Sequence, residues 1–82
     1  MTQALCGDVG RRVVALIWTV SGRQMKIAGQ STLVGDLELE SIQLVALICA
    51  VEREFDLIIE SEDFRWVRTV DDLIHAIEKT LE

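Results

Sequence analysis

Apolar residues recur every three or four positions in three stretches of the chain, which is the spacing of one face of an α-helix. The first stretch covers residues 5–20 and is followed by Gly22, a residue type that commonly ends helices. The second covers residues 41–55. The third begins at Thr69, which forms with Asp72 the sequence pattern of a capping box. The spacing therefore predicts three long helices.

The apolar side of each helix is predicted to face a common core. In the second helix the inward residues are Leu44, Leu47, Ile48, Val51 and Phe55. In the last helix they are Val70, Leu73, Ile74, Ile77 and Leu81.

Two further segments complete the predicted architecture. Residues 21–40 form an unusually long connection for a compact domain. Three apolar residues that would pack this connection onto the helices recur along it: Ile27, Leu33 and Leu37. Residues 61–67 are long enough for one or two helical turns, with Ser61 as cap and with Phe64 and Val67 facing inward.

We therefore predict an all-α fold, a four-helix bundle with three longer helices, a short third helix and a long loop between helices one and two. Residues 1–82 are expected to form a single domain, because a chain of 82 residues builds one hydrophobic core.

Composition limits the classes of function. The chain is 50% hydrophobic and has a net charge of −6. A nucleic-acid-binding domain would normally be basic, because contacts to phosphate supply much of its affinity, so we expect no nucleic-acid partner. No apolar stretch reaches the roughly 20 residues that a helix needs to cross a bilayer, so we also expect no membrane insertion.

Cysteine and histidine, which often catalyse reactions or bind metals, are few in this chain. Cys6 and Cys49 form neither a disulfide framework nor a zinc pattern, and we interpret them as reduced thiols of a cytoplasmic protein. His75 has Asp71 and Glu78 as helical neighbours, which indicates a solvent-facing side chain. We therefore expect no metal site and no catalytic residue, so the chain is not predicted to be an enzyme.

A recognisable motif surrounds Ser41. Residues 36–42 read Asp-Leu-Glu-Leu-Glu-Ser-Ile, which resembles the acyl carrier protein signature Asp-Leu-Gly-x-Asp-Ser-Leu. Residues 52–56 (Glu-Arg-Glu-Phe-Asp) are similar to the family's Glu-Glu-Glu-Phe-Asp, and residues 69–70 match the Thr-Val that starts its last helix. The similarity extends without a gap over residues 20–81.

This resemblance implies a four-helix fold of the acyl-carrier type and a phosphopantetheine group attached covalently to Ser41. A phosphopantetheinyl transferase would supply the group from coenzyme A. Its thiol would then carry acyl intermediates as thioesters between acyl-loading and condensing enzymes, and we expect the carrier itself to be a monomer. The start of a helix also suits a phosphodiester, because unpaired N–H groups and the positive dipole end lie there. Alternatively, Ser41 is only an N-cap, a role that serine often takes.

The departures from the signature bear on the substrate and on recognition by a given transferase. Glu38 replaces the family's glycine, Glu40 replaces its aspartate, and Glu60 replaces the proline of its isoleucine-proline pair. Peptidyl carriers usually have paired glycines near the serine, and these are missing here. The sequence therefore favours fatty-acid-like or polyketide biosynthesis. An aminoacyl or peptidyl carrier of a nonribosomal pathway, and a helical protein-interaction adaptor that is never modified, remain as alternatives.

A second stripe of the predicted helix lies beside Ser41 and is offset from the inward side. In the family the corresponding side is exposed and meets partner enzymes. With Glu40, the predicted partner surface consists of Ile42, Val45, Ala46 and Cys49. Alternatively, the stripe belongs to a wider core.

Two more expectations concern the surroundings of this surface. Acidic residues after the second helix are expected to form a solvated rim: Glu52, Glu54, Asp56, Glu60, Glu62 and Asp63. The two tryptophans are expected to be packing residues, and Trp66 is the one that we expect to line an acyl-binding cleft.

Overall fold

A computed structural model describes residues 7–81 of the chain. It contains four helices within these residues: α1 (Asp8–Ser21), α2 (Ser41–Phe55), α3 (Ser61–Phe64) and α4 (Val70–Leu81). The predicted all-α fold is confirmed, and α2 has the predicted bounds. The predicted start of α1, at Leu5, and Cys6 lie outside the described residues. Within them, no helix is long and apolar enough to cross a membrane.

The helix ends follow from local sequence. Gly22 ends α1 in a left-handed conformation (φ 78°), and its N–H donates to the carbonyl oxygen of Trp18. At the start of α4, the Asp72 N–H donates to Thr69 Oγ1 (3.1 Å), and the Thr69 N–H donates to Asp72 Oδ2 (3.2 Å). This reciprocal pair confirms the predicted capping box.

The core is formed where α1, α2 and α4 pack together and is closed by the long connection. Its fully buried side chains include Val13, Ile17, Leu47, Val51, Val70, Leu73, Ile74 and Ile77. Leu44 and Ile48 pack against this core while partly buried, so the predicted inward side of α2 is confirmed. The prediction for Leu81 is wrong, because this side chain lies in the final turn of α4 and is half exposed.

The connection between α1 and α2 has no regular secondary structure but is firmly packed. Leu33 and Leu37 are buried and Ile27 is half-buried, as predicted, and Leu39 joins them in the core. The Leu33 N–H donates to the carbonyl oxygen of Arg68 (2.9 Å). These contacts fix the connection against the residues that lead into α4.

The short α3 begins one residue earlier than a cap at Ser61 would require. Glu60, in an extended conformation (φ −66°, ψ 146°), occupies the N-cap position, so the prediction of Ser61 as the cap is wrong. Phe64 and Val67 are partly buried against the core, which confirms their predicted inward direction.

Candidate functional site

Ser41 is the first residue of α2, and its side chain is exposed. The N-cap is Glu40, whose backbone is extended (φ −83°, ψ 166°) and whose carbonyl oxygen accepts the N–H of Leu44 (2.9 Å). Gln43 completes the start of the helix, because its Oε1 accepts the N–H of Glu40 (2.9 Å). The interpretation of Ser41 as N-cap is therefore wrong, and its hydroxyl is not used to begin the helix.

A compact turn upstream of Ser41 is held by two side chains. The Asp36 N–H donates to Thr32 Oγ1 (2.8 Å), and the Thr32 N–H donates to Asp36 Oδ2 (3.0 Å). Gly35 lies within this turn, and a Cβ added there would lie 2.7 Å from Thr32 Oγ1. The turn therefore needs a residue without a side chain at position 35.

From this turn the backbone leads to Ser41 with alternating burial. Leu37 and Leu39 are buried, whereas Glu38 and Glu40 are exposed. The Leu39 N–H donates to the carbonyl oxygen of Leu33 (3.0 Å). Two buried leucines thus anchor the segment just before the serine, and the next residue along, Ser41, is presented on the surface.

Glu38 adopts the left-handed conformation, with φ 56°. This conformation is unfavourable for a residue with a Cβ and costs glycine little, which explains why the resembling signature has glycine at this position. Arg23 contacts the same segment. Its guanidinium donates to the carbonyl oxygen of Leu37 (3.3 Å) and lies 3.8 Å from Glu38 Oε1.

The stripe beside Ser41 is exposed. Ile42 is 74% exposed and Val45 is 63% exposed, and Ala46 and Cys49 are exposed as well. The alternative that these residues widen the core is therefore wrong. They form an apolar surface that begins next to the serine.

Residues 11–77 match the family model described as "Phosphopantetheine attachment site". The chain belongs to this family. It is also 37% identical to an acyl carrier protein of Bdellovibrio bacteriovorus over 66% of the chain and 69% of that protein. A Coprothermobacter proteolyticus acyl carrier protein is 36% identical over 77% of both chains.

A solved structure gives the same result for the fold. The chain superposes with a TM-score of 0.83 on a structure assigned as an acyl carrier protein from Mycobacterium tuberculosis. The sequences are 28% identical, and the match covers 87% of this chain and 96% of the other. This chain is thus an acyl carrier of the phosphopantetheine type, in which acyl groups are held as thioesters on a covalently attached arm.

The surroundings of Ser41 fit such a phosphorylated arm. The hydroxyl is exposed, so it can be approached by a modifying enzyme. It lies at the N-terminus of a 15-residue helix, where backbone N–H groups and the positive end of the helix dipole stabilise a phosphodiester.

An apolar groove lies beside the first turns of α2. Its volume is about 310 Å³, and it is lined by Thr32, Leu33, Val34, Leu44, Phe64, Val67 and Arg68. The expectation that Trp66 lines such a cleft is wrong. Val67 turns towards the core, so the neighbouring indole points outwards and is 77% exposed. Trp66 lines instead a smaller cavity of about 170 Å³, together with the exposed His75 of α4.

Most of the predicted acidic rim is exposed, and only Glu52 and Asp63 of its six residues are half-buried. Glu54 pairs with Arg12 of α1 at 2.7 Å, and the guanidinium lies 4.7 Å from the ring centre of Phe55. Hydrogen bonding to Glu54 raises the pKa of Arg12 above its ordinary value. Glu52 Oε2 accepts the N–H of Ile59 (2.9 Å). Two of the six predicted rim residues therefore help to hold the fold together, a role that is not apparent from their spacing.

The pKa of Asp72 also departs from its ordinary value. Desolvation raises its pKa, but hydrogen bonds from the N–H groups of Arg68 and Thr69 and from the Thr69 hydroxyl lower it, as does the Arg68 charge. The net result is a pKa below the ordinary value of 3.8. The ionised form of Asp72 is therefore the one that stabilises the start of α4.

Proposed function

We propose that Ser41 is the residue to which phosphopantetheine is attached, and that the carrier serves fatty-acid-like or polyketide biosynthesis. The supporting observation is the exposed hydroxyl at the first residue of α2, within the matched residues, with Glu40 serving as the cap. The relatives named acyl carrier protein support an acyl rather than an aminoacyl cargo.

In the proposed attachment, the Ser41 oxygen forms a bond to the β-phosphorus of coenzyme A. The pyrophosphate P–O bond breaks, and 3′,5′-adenosine diphosphate leaves. The hydroxyl proton passes to a base of the transferase, because a serine hydroxyl is a weak nucleophile until a base removes its proton. We infer that this chain supplies the acceptor oxygen and the helix N-terminus, and that its partners supply the catalysis.

Intact mass measurement after reaction with coenzyme A, magnesium ions and a promiscuous phosphopantetheinyl transferase tests this assignment. We expect wild-type chain to gain one phosphopantetheine and Ser41→Ala to gain none. Ser61→Ala is the matched control, since Ser61 is also the exposed first residue of a helix that follows a glutamate. A modified Ser41→Ala would overturn the assignment, and an unmodified wild type would favour the adaptor alternative.

We further propose that Glu40, Ile42, Val45, Ala46 and Cys49 form the surface that acyl-loading and condensing enzymes contact. The exposed apolar side chains next to Ser41 support this role, because protein partners recognise such patches. Val45→Glu is expected to leave stability within about 0.5 kcal/mol of wild type and to slow acyl transfer by the true partner enzyme. Unchanged transfer kinetics would place the contact surface elsewhere.

We infer a cytoplasmic location for this carrier. Cys49 is a free and exposed thiol, which persists in a reducing compartment. This inference is tested by treating intact cells with a membrane-impermeant thiol reagent and measuring whether Cys49 is labelled before or only after lysis. Labelling of Cys49 before lysis would contradict it.

A further inference from the structure

The groove beside α2 lies close to the proposed attachment site. Leu44 lines the groove and follows Ser41 by three residues, a rise of about 4.5 Å along the helix axis. Most of the lining is apolar, and the hydroxyl of Thr32 already accepts the Asp36 N–H. A flexible arm on Ser41 can fold back over this distance, so an acyl group can enter the groove.

Arg68 is the single charged residue in the lining of the groove. The ion pairs formed among residues 7–81 involve Arg12, Arg23 and Lys79 and do not include Arg68. Asp72 Oδ2 accepts the backbone N–H groups of Arg68 and Thr69, and this carboxylate lies too far from the Arg68 guanidinium to form an ion pair with it. Arg68 is thus an exposed cationic residue that lines an apolar groove and forms no ion pair with another residue of 7–81.

We propose that this groove selects short acyl groups that end in a carboxylate, and that Arg68 binds the carboxylate. The proposal rests on the attachment of the arm at Ser41. A guanidinium matches a carboxylate with two parallel hydrogen bonds, which a neutral acyl end cannot form. On a chain of net charge −6, an anionic acyl end needs such a cation to be held at the surface. The volume of about 310 Å³ is at the lower end for small-molecule pockets, which fits a short acyl group.

The test compares two acyl groups of six carbons, adipoyl and hexanoyl, loaded on wild-type chain from the corresponding acyl-coenzyme A by a promiscuous transferase. The rate of thioester hydrolysis is measured for each and divided by the rate for the same acyl group on free pantetheine. We expect the adipoyl thioester to be protected at least three-fold more than the hexanoyl thioester. Equal protection of both groups would overturn the proposal.

Variants assign the effect to Arg68. Arg68→Gln should abolish the adipoyl preference, and Arg68→Lys should retain part of it because the positive charge remains. Arg65→Gln removes the same charge from an exposed neighbour outside the groove and should keep the preference. A preference that survives in Arg68→Gln would also overturn the proposal.

Two other outcomes are distinguishable. If Arg68→Gln leaves the melting temperature of the unmodified chain unchanged but lowers that of the phosphopantetheine-bearing chain as much as that of both acyl forms, Arg68 binds the phosphodiester of the arm, and the proposal is wrong. If intact mass shows that wild-type chain is not loaded at all, it is the assignment of Ser41 that fails.

Discussion

The two segments that meet at Ser41 differ in what their side chains contact. Upstream, residues 32–40 lack regular secondary structure, yet Leu37 and Leu39 are buried and the N–H of Leu33 donates to the distant carbonyl oxygen of Arg68. Downstream, α2 is a regular helix, yet Ile42 and Val45 extend into solvent. The segment without regular secondary structure is therefore well packed, whereas one side of the regular helix exposes apolar side chains to solvent.

This difference indicates a division of labour around the serine. A side chain that must be modified and then presented to several enzymes has to be fixed in position and approachable at the same time. The upstream segment provides the fixed position through buried leucines, and one side of α2 leaves the approach open. Substitutions in the two segments should therefore differ in whether they affect stability or transfer.

The largest contrast is expected between two aliphatic truncations. Leu37→Ala removes a side chain that is 2% exposed and should cost roughly 2–5 kcal/mol in the free energy of unfolding, from lost burial and the cavity left behind. Val45→Ala, on the open surface, should change it by less than about 0.5 kcal/mol. Urea denaturation measures both. If both variants lost a similar amount of free energy of unfolding, the proposed difference between the two segments would be contradicted.

A smaller loss is expected for Gly35→Ala. The added Cβ would lie 2.7 Å from Thr32 Oγ1, which is held by the Asp36 N–H, so the turn must shift at a cost of about 1–3 kcal/mol. The double variant with Thr32→Ala removes the clashing atom, so Gly35→Ala should cost less in that background. Additive costs in a double-mutant cycle would mean that the Thr32 side chain is not what excludes a larger residue.

The capping box should make stability depend on pH. Because the pKa of Asp72 is lowered in the folded state, its stabilisation is present above the ordinary value of 3.8 and is lost as pH falls through the lower folded pKa. Asp72→Asn should cost about 1 kcal/mol or less at pH 7, since the group is largely exposed and screened. The difference in the free energy of unfolding between Asp72→Asn and wild type should become smaller below about pH 4.

Thermal unfolding of both chains between pH 7 and pH 3 measures this gap. Glu78→Gln is the charge control on the same helix, because Glu78 is exposed and lies outside the capping box. A gap that widens as the pH falls would contradict the sign of the pKa shift.

The smallest effect on stability is expected for glycine substitutions at two exposed glutamates of the upstream segment. Glu38→Gly should raise stability by several tenths to about 1 kcal/mol, because φ 56° strains a residue with a Cβ, although an exposed pair with Arg23 is lost. Glu40→Gly, at φ −83°, gains no such relief and should lower stability. Equal losses in chemical denaturation would mean that the Glu38 conformation carries no strain.

Much of this molecule was predictable from the sequence, because its helices have periodic apolar residues and local start signals. The bounds of α2 and the box of Thr69 and Asp72 depend on residues a few positions apart. Glu40 is the N-cap of α2, and the Gln43 side chain accepts its N–H. A serine before an apolar run suggests a serine cap, so the sequence pattern did not reveal that Glu40 has this role.

The remainder depends on contacts between distant residues. Periodicity did not reveal that Glu54 pairs with Arg12, 42 positions away, and it could not show which way the backbone turns at Trp66. Arg68 was missed as a groove residue for the same reason. The alternation of leucine and glutamate over residues 37–40 was a signal that could have placed Leu39 in the core.

The most direct test of the central claim is to locate the modification on wild-type chain. Cleavage after glutamate releases residues 41–52, in which Ser41 is the one hydroxyl-bearing residue. After reaction with coenzyme A and transferase, fragment mass spectra should place the whole added mass of phosphopantetheine on the Ser41 oxygen of this peptide. An unmodified 41–52 peptide, with the added mass on a peptide that contains Ser31 or Ser61, would contradict the account.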